Sequence, residues 1–383
     1  MVRVDDNAAD TLALEVAQMP GEQRLTADLE QDLRGFLADR AETGATAGGQ
    51  YHHARRGVRT GTRRTNAGER EMQRETAIVT GGAGFIGSHV VDALVADGTQ
   101  AVVIDDLSTG RAERVAVEGV LEEVDITDRT ALDAVIDSAR PAAIYHLAAQ
   151  SSVTVSVKDP SRDCAVNVQG TVNVLEAAKR HGAPVVFAST GGALYGNDAP
   201  IPTGEDRIPA PIAPYGASKW AGEAYVLTWS HANGAPHAVC RLGNVYGPRQ
   251  SPHGEAGVVA IFSHLLWRGE SPTLFGHGTP TRDYVHVSDV VAAMLAARGK
   301  PGVFNIASGT ETDVRTVFEG LRGAARSSVE PKLAALRPGE LERSCMNPEH
   351  ARRELGWRAE VELTEGLADT YRHLVEEFEN QAA

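Results

Sequence analysis

A tyrosine and a lysine four residues apart are well placed for acid–base chemistry in this 383-residue sequence. Tyr215 and Lys219 lie in the segment Tyr-Gly-Ala-Ser-Lys, which continues into a predicted helix, so both side chains project from one face. A phenol has a reference pKa of about 10 and is a poor base unless a nearby cation stabilises the phenolate. Lys219 supplies that cation, and the pair predicts an acid–base group for hydride chemistry on an alcohol. The alternative is a solvated helix face without a chemical role.

A glycine-rich turn earlier in the chain predicts a dinucleotide site. The segment Thr80–Gly87 follows an apolar, strand-like run and leads into a helical pattern. Gly81 permits the tight turn, Gly84 lets the backbone approach a pyrophosphate, and Gly87 lets the helix pack on the strand. Free N–H groups at the helix N-terminus then face the phosphate charge. The predicted contacts in this turn are Gly81, Gly84, Phe85, Ile86 and Gly87.

The next strand-like run, residues 101–104, ends in Asp105 and Asp106. A carboxylate at this place accepts hydrogen bonds from both hydroxyls of an adenosine ribose and repels a 2′-phosphate. The pattern therefore predicts NAD rather than NADP as the cofactor. The alternative is an aspartate that only begins a polar loop.

Composition and charge limit the class of protein. The net charge of −14 and the absence of a basic stripe argue against a nucleic-acid partner. Cys164, Cys240 and Cys345 are far apart, so we expect neither a metal site nor a disulfide framework. No apolar run approaches the ~18 residues of a membrane span, and the N-terminus lacks a signal-peptide pattern. These features predict a cytoplasmic protein without a membrane partner.

The sequence divides into three parts. The composition of residues 1–72 predicts a disordered or partly helical N-terminal extension, and its apolar spacing predicts one amphipathic helix over about residues 22–40. Residues 73–246 alternate strand-like and helical runs and predict an α/β fold, a Rossmann-type doubly wound parallel sheet. Residues 247–383 predict a smaller, mainly substrate-binding C-terminal part. Met72 stands just before the first strand, so we hypothesise that translation can start there; a mass spectrum of the native protein decides this.

Several ordered segments give the chain a family resemblance. They are Asp105–Gly110, Asp125-Ile126, His146–Gln150, Asn167 in Asn-Val-Gln-Gly-Thr, Arg241–Asn244, Arg282–Val287 and Arg337–Glu340. With the glycine turn and the Tyr215–Lys219 pair, the chain from about Thr76 to its last helix resembles the extended short-chain dehydrogenases/reductases. Within that superfamily it is most similar to the UDP-glucose (UDP-galactose) 4-epimerases.

The resemblance implies an NAD-dependent isomerase that interconverts UDP-glucose and UDP-galactose, and possible N-acetylated forms, through a transient 4-keto sugar. It implies that Tyr215 is the base and that Lys219 binds the nicotinamide ribose. Further cofactor contacts implied in this way are Asp125, Ile126, Leu147, Ala148, Ala149, Asn167 and Leu242. The nucleotide-sugar substrate would be held by Asn244, Arg282 and Arg337. A homodimer built on paired helices is also expected by analogy.

The catalytic hydroxyl is one point of departure from the family pattern. Aligning Tyr195-Gly196 places Gly191 where many relatives carry the hydroxyl of the catalytic triad. Thr190 is then the first candidate and Ser189 the second. The alternative is that both hydroxyls only satisfy backbone groups at a strand end.

Two further positions concern the cofactor and the sugar. Ser151 stands where some epimerases have a cofactor-binding lysine, and Gln150 or a water could replace that contact. Ser344 lies seven residues after Arg337, where a tyrosine in 4-epimerases restricts the pocket to plain hexoses. Serine there predicts a more open pocket, unless Met346 refills the space or Ser344 points away from the sugar.

Two other functions stay open at this point. A nucleotide-sugar dehydratase or reductase shares the first hydride step, but dehydratases carry Asp-Glu where this chain has Gly192 and Ala193. A non-catalytic NAD-binding sensor is the other alternative, although such proteins usually lack the Tyr or the Lys.

Overall fold

The computed structural model describes residues 74–253, 257–337 and 340–382. The predicted N-terminal extension, residues 1–72, and the proposed start at Met72 lie outside these residues. In chain order the strands are β1 (Thr76–Thr80), β2 (Gln100–Asp105), β3 (Val120–Glu123), β4 (Ala143–His146), β5 (Val185–Thr190), β6 (Ala238–Leu242), β7 (Asn244–Tyr246), β8 (Thr273–Leu274), β9 (Thr281–His286), β10 (Gly302–Ile306), β11 (Glu311–Asp313) and β12 (Lys332–Leu333).

The α-helices follow the same numbering. They are α1 (Phe85–Ala96), α2 (Arg129–Ala139), α3 (Val153–Lys158), α4 (Pro160–Cys164), α5 (Thr171–His181), α6 (Pro214–Asn233), α7 (Val258–Trp267), α8 (Val287–Ala296), α9 (Val314–Ala324), α10 (Glu349–Leu355) and α11 (Leu363–Ala382). A π-helical turn, Ala165–Gly170, joins α4 to α5, and 3₁₀ turns span Ala112–Arg114 and Phe275–Gly278.

Seven strands form a parallel sheet in the order β10-β6-β5-β4-β1-β2-β3. The strand order changes direction between β1 and β4, and at such a point the loops after the two strands diverge and leave a crevice. This topology confirms the predicted Rossmann-type, doubly wound α/β fold.

Helices cover both faces of the sheet because its strands are apolar on both sides. Along β1, Val79 faces a core that includes Val90 of α1 and Met294 of α8. The adjacent Ile78 faces the opposite core, which includes Leu132 of α2 together with residues of α5 and α6. The alternation of side chains along one strand thus anchors the glycine turn from both faces.

The C-terminal residues form a second cluster and also extend the sheet. Strands β11-β9-β7 and β12-β8 make two small sheets, and α7, α9 and α11 pack on one another around a core that includes Phe262, Phe318 and Leu367. From the same part of the chain, β10 pairs with β6, with Ile306 opposite Leu242. The division at residue 246 and the substrate-binding role of the C-terminal part stay predictions. Among the described helices, none is long and apolar enough to span a membrane.

The register of the sheet brings the predicted site residues to one edge. Thr80, at the end of β1, lies opposite His146 of β4, and Thr190, at the end of β5, lies opposite Leu242 of β6. Because all these strands are parallel, their carboxyl ends meet at the same edge, where ligands of doubly wound sheets bind.

Candidate active site

The glycine turn between β1 and α1 has the backbone geometry that a dinucleotide site needs. Gly81 has a φ of +71°, and a Cβ there would lie 2.6 Å from the backbone nitrogen of Ala148. A Cβ at Gly87 would collide with the carbonyl oxygen of Gly81. Side chains are therefore excluded at both positions, because the turn, the helix and the loop after β4 approach one another so closely.

The N-terminus of α1 is open toward a ligand. Gly84 caps the helix without any side chain to accept a hydrogen bond. Within the described part of the chain, the N–H groups of Phe85 and Ile86 have no acceptor. Unsatisfied N–H groups at the positive end of a helix fit the oxygen atoms of a pyrophosphate.

Asp105 at the end of β2 is tied to the glycine turn. Its Oδ2 accepts a 3.0 Å hydrogen bond from the N–H of Ala83, and its Oδ1 accepts one of 2.9 Å from Leu107. Burial raises the pKa of this carboxyl group, while the two backbone donors act in the opposite direction. Asp106 instead accepts from the N–H and the hydroxyl of Ser108, at 3.0 and 2.6 Å. Asp105 thus shapes the turn as well as standing where a ribose is predicted.

A buried chain of hydrogen bonds joins β1, β4 and the π-helical turn. Thr171 donates to the carbonyl of Asn167 at 2.7 Å, so its oxygen accepts the 3.0 Å bond from Nε2–H of His146. Nδ1 of His146 is then the acceptor for the hydroxyl of Thr80 at 2.7 Å. Thr80 in turn accepts from the N–H of Ala148 at 3.2 Å. This order fixes the tautomer of His146, and burial, with Lys219 nearby, lowers its pKa to about 3.

Asn167 joins the loop after β4 to α6. Its Oδ1 accepts from the N–H of Gln150 at 2.8 Å, and its Nδ2 lies 2.9 Å from the Gln150 carbonyl and 3.0 Å from Ser218 Oγ. Asn167 lies in the π-helical turn, a feature frequent at functional sites. The Gln150 amide is folded onto Asp163 and Ser152, at 2.7 and 3.0 Å from Nε2. The Gln150 side chain is therefore already hydrogen-bonded within the protein, and it does not replace the cofactor-binding lysine that some epimerases have at the position of Ser151.

The predicted adenine and nicotinamide walls line the same edge of the sheet. Leu147, Ala148 and Ala149 follow β4 directly, and the N–H of Leu147 donates to the Thr80 carbonyl at 3.0 Å. Asp125 Oδ1 accepts from Thr127 at 2.8 Å, so this side chain shapes its own turn. The side chain of Ile126 lies in the core. Leu242 ends β6, and its carbonyl accepts from Gly191 at 2.8 Å.

Tyr215 and Lys219 occupy the first turns of α6, which begins with Pro214 at a position where proline is favourable. The phenol of Tyr215 lies beside the Thr190 hydroxyl, which acts to lower the pKa of the phenol. Nζ of Lys219 lies 4.2 Å from the centre of the Phe187 ring, and among the described residues its ammonium has no hydrogen-bond acceptor. Burial raises the pKa of Tyr215 to about 12 and lowers that of Lys219 to about 8. The pair needs further positive charge before the phenolate forms near neutral pH.

Ser189 and Thr190 are adjacent but have different partners. The hydroxyl of Ser189 donates to Oε1 of Glu223 at 2.5 Å, in the interior of the protein. Thr190 instead lies beside Tyr215, whose pKa it lowers, and accepts from the N–H of Ala193 at 3.3 Å. Successive side chains of a strand point to opposite faces, so only one of the two hydroxyls can face Tyr215.

Glu223 is also the partner of Arg241, a residue that the sequence analysis assigned no role. Arg241 Nη2 lies 2.7 Å from Glu223 Oε2, and both side chains are buried. Arg241 Nη1 donates to the Tyr195 hydroxyl at 2.8 Å, and Tyr195 donates to Oδ1 of Asn305 at the same distance. The chain of bonds thus runs from α6 through β6 to β10. The sequence signals that could have identified this pair were a carboxylate one helical turn after Lys219 and an arginine in the next strand.

Met346 explains why the loop after β5 has a glycine at position 191. A Cβ at Gly191 would collide with Sδ of Met346, which is buried. Ser344 lines a small cleft together with Gly191 and Gly192, so its segment lies beside this loop. Gly192 faces the predicted substrate contact Asn244, since a Cβ there would be 3.5 Å from Asn244 Oδ1.

The two predicted phosphate-binding arginines lie in the C-terminal part. Arg282 of β9 is mostly buried, donates to the Thr281 carbonyl at 2.8 Å and lies 3.9 Å from Glu340 Oε1. Burial lowers its pKa from the ordinary value. Arg337 is exposed, and its Cζ lies 3.7 Å from the centre of the Phe275 ring. Among the residues that the structure describes, neither guanidinium has a close ion-pair partner, so both have donors left for an anion.

The sheet, its glycine turn and the Tyr-Lys pair define a dinucleotide-dependent enzyme of the short-chain dehydrogenase/reductase type. A family model described as the NAD dependent epimerase/dehydratase family matches residues 77–307. The chain belongs to this family, as its sequence resemblance predicted, and NAD is its cofactor.

Named relatives agree with this assignment. The chain is 44% identical over 313 residues to a UDP-glucose 4-epimerase of Mycolicibacterium smegmatis, covering 80% of this chain and 99% of the relative. A UDP-glucose 4-epimerase of Thermotoga maritima, solved with UDP-glucose, is 42% identical with a TM-score of 0.77, covering 79% of this chain and 99% of its own. The Thermus thermophilus enzyme, solved with NAD, is 42% identical with a TM-score of 0.73, covering 78% and 98%. The chain is thus an isomerase-type enzyme similar to UDP-glucose 4-epimerases.

The different partners of Ser189 and Thr190 predict opposite effects of two neighbouring substitutions. Thr190→Val removes the hydroxyl beside the Tyr215 phenol and is expected to slow turnover by ~10²-fold without a large change in the melting temperature. Ser189→Ala leaves the buried Glu223 short of a donor and is expected to cost about 1–3 kcal/mol of unfolding free energy while turnover of the folded enzyme changes little. Denaturant unfolding and steady-state kinetics on both variants make the comparison. A large kinetic loss in Ser189→Ala alone contradicts it.

Proposed function

We propose that this protein is a nucleotide-sugar 4-epimerase that interconverts UDP-glucose and UDP-galactose through a transient 4-keto sugar. One observation carries the proposal: the Tyr215 phenol lies close enough to the Thr190 hydroxyl for Thr190 to lower its pKa, with Lys219 one helical turn away on α6. This arrangement lies at the edge of the sheet where the open glycine turn also ends. The names of the relatives at 42–44% identity support the same reaction.

The chain's own residues supply the acid–base part of the reaction. Tyr215 takes the proton from the sugar 4-hydroxyl and later returns it, and Thr190 hydrogen-bonds to the 4-oxygen. Lys219 stabilises the phenolate, because a fixed ammonium in a buried site favours the anion strongly. NAD held at the glycine turn would supply the reversible hydride acceptor for C4 of the sugar. The 4-keto sugar rotates between the two hydride transfers. The hydride therefore returns to C4, and no net oxidation occurs.

The remaining predicted contacts divide into cofactor and substrate groups. The turn at Gly81, Gly84 and Gly87 would hold the pyrophosphate of the cofactor, and Asp105 would bind its adenosine ribose. Asn167 would hold the loop after β4 on the nicotinamide side. Arg282 and Arg337 hold the substrate diphosphate, since guanidinium groups offer paired N–H donors to phosphate oxygens. Both arginines have donors outside close ion pairs, which supports this role.

The loop after β5 argues against a dehydratase. Elimination of water across C5 and C6 needs an added acid–base pair, and the loop positions that would hold it are Gly192 and Ala193. A sensor without activity is disfavoured because the chain keeps both Tyr215 and Lys219, and Thr190 lies beside the Tyr215 phenol.

The direct test is turnover without added cofactor. Purified protein is expected to contain tightly bound NAD and to convert UDP-galactose to UDP-glucose. Tyr215→Phe removes only the proton acceptor, so it is expected to keep bound NAD and nucleotide-sugar but to lose most turnover, by ~10²-fold or more. Near-normal epimerisation by this variant overturns the mechanism, and no conversion of either sugar by wild type overturns the function.

The width of the sugar pocket depends on Ser344. Ser344 lines the cleft beside Gly191 and Gly192, and Met346 is packed against Gly191. We therefore propose that the pocket has room for a 2-acetamido group. A related structure, the UDP-N-acetylglucosamine 4-epimerase of Methanobrevibacter ruminantium, is 28% identical with a TM-score of 0.75.

Ser344→Tyr is expected to lower kcat/KM for UDP-GalNAc about tenfold or more, because the ring fills the space of the acetamido group, while kcat/KM for UDP-galactose changes little. About tenfold corresponds to roughly 1.4 kcal/mol, in the range of a small steric difference. Arg343→Gln is the control at the neighbouring position, since Arg343 forms an exposed ion pair with Glu311. The proposed role of Ser344 is refuted if wild type rejects UDP-GalNAc or if Ser344→Tyr leaves the use of UDP-GalNAc unchanged.

We also propose that two copies of the chain associate through α6. Trp220 and Leu227 are 40% and 37% exposed, and seven residues place them on one helical face, turned away from the active-site side of α6. An apolar face of this kind fits the paired helices of a homodimer. A cytoplasmic location stays a prediction from the sequence.

Replacing both residues, Trp220→Glu with Leu227→Glu, is expected to convert dimers to monomers at micromolar concentration, because four carboxylates would then face one another. Light scattering after size exclusion measures the mass. Leu333→Glu, at a position of β12 that is 52% exposed, is the matched control and is expected to leave the mass unchanged. A wild-type monomer, or a charged double variant that stays dimeric, contradicts the proposed interface.

A further inference from the structure

Asp163 is a buried carboxylate that the proposed mechanism does not use. It lies in α4 and is 1% exposed. Its Oδ1 accepts from Nε2 of Gln150 at 2.7 Å and from Nδ2 of Asn167 at 3.1 Å. Both donors are neutral amides, and within the described ranges no arginine, lysine or histidine forms an ion pair with it. A buried charge without its own counter-ion is costly, so its retention needs a reason.

The nearest candidate for a counter-charge is the active-site lysine. Helix α4 packs against α6, and Asn167 links Asp163 to Ser218, which directly precedes Lys219. Lys219 is 3% exposed and, among the described residues, has no hydrogen-bond acceptor for its ammonium. An isolated carboxylate and an isolated ammonium are thus buried on either side of one packed interface.

Glu223 provides the contrast. It is also a buried carboxylate near Lys219, but its charge is matched by Arg241 at 2.7 Å. Two other titratable groups of this region are neutral: His146 is buried with a pKa of about 3, and Cys240 is a buried thiol. Lys158 on α3 is exposed, and Glu176 of α5 is paired with Arg129. Asp163 is therefore a buried negative charge next to α6 that has no ion-pair partner among the described residues.

We propose that Asp163 is a positioning residue that supplies the counter-charge of the active site, acting through Lys219 and on the positive nicotinamide ring of the oxidised cofactor. The inference rests on the proposed function. Its carboxylate offsets the cost of burying the Lys219 ammonium and keeps the resting enzyme in the NAD⁺ form.

The electrostatic consequences have definite signs. Burial is the main cause of the pKa shifts of Tyr215 and Lys219. The charge of Glu223, and after it that of Asp163, raises the pKa of Lys219, and the Asp163 charge also raises that of Tyr215. Removing that charge lowers both pKa values. The phenolate of Tyr215 then forms at lower pH, and the ammonium of Lys219 is lost at lower pH. Both limbs of the pH–rate profile therefore move toward acid together, which a change of packing alone does not produce.

The test is Asp163→Asn in the full chain with bound NAD. Both limbs are expected to shift by roughly half to one pH unit toward acid, the size of one buried charge at several ångströms. Tyrosinate absorbance, taken as the difference from Tyr215→Phe, is expected to titrate at lower pH by the same amount. At a fixed external redox poise, the ratio of bound NADH to NAD⁺ is expected to rise roughly tenfold, as for one pH unit of free energy.

Gln150→Met is the matched control, because it removes the 2.7 Å hydrogen bond to Asp163 but keeps the charge. Gln150→Met is expected to leave the tyrosinate titration and the ratio of bound NADH to NAD⁺ unchanged, whatever the turnover rate of the variant. If Asp163→Asn does not fold, Asp163→Ser removes the same charge and carries the same expectation. Unshifted titration and redox ratio in the neutral variant, or equal shifts in Gln150→Met, overturn the proposal. Neither of those readouts needs the sugar, so they stand apart from a failure of the epimerase assay.

Discussion

The buried ion pair between Glu223 and Arg241 is the interaction on which the geometry of the site depends. Glu223 lies one turn after Lys219 on α6 and also accepts from Ser189, the neighbour of Thr190. One carboxylate thereby sets the position of the helix that carries the base relative to the strand that carries the hydroxyl. Breaking such a pair by removing one partner typically costs ~3–5 kcal/mol, whereas an apolar pair of the same volume is often as stable. The contribution of this pair therefore lies in the geometry that it imposes.

The same network reaches the sugar side of the site. Tyr195 passes the connection from Arg241 to Asn305 of β10, and Asn305 donates to the carbonyls of Thr203 and Asn347 at 3.0 and 3.2 Å. The segment that holds Ser344 and Met346 is thus tied, through polar groups alone, to the strand beside the base. The Ser344–Met346 segment fixed in this way cannot shift independently of β6 and α6, because a broken buried hydrogen bond leaves an unsatisfied polar group.

The cofactor side is organised by a different device. There the chain from Thr80 through His146 to Thr171 has only one possible order of donors and acceptors, and it joins the glycine turn to the π-helical turn of Asn167. A neutral histidine suits this role, since it donates from one nitrogen and accepts at the other. Asp163 stands at the far end of the same region. Glu223 is thus a buried carboxylate whose charge is compensated by Arg241, whereas Asp163 has no ion-pair partner among the described residues.

The sequence by itself determined the parallel sheet, the glycine turn, the Tyr215–Lys219 pair and the family, because these follow from local patterns: apolar runs, glycine spacing and the helical period. Tertiary structure decided what local patterns leave open. Thr190 rather than Ser189 faces Tyr215, since Glu223, 34 residues further along the chain, takes Ser189. Gln150 is engaged by Asp163, and Met346 excludes any side chain at Gly191. Such choices depend on partners far apart in sequence, up to the 110 residues between Tyr195 and Asn305, and only folding brings these groups within hydrogen-bond distance.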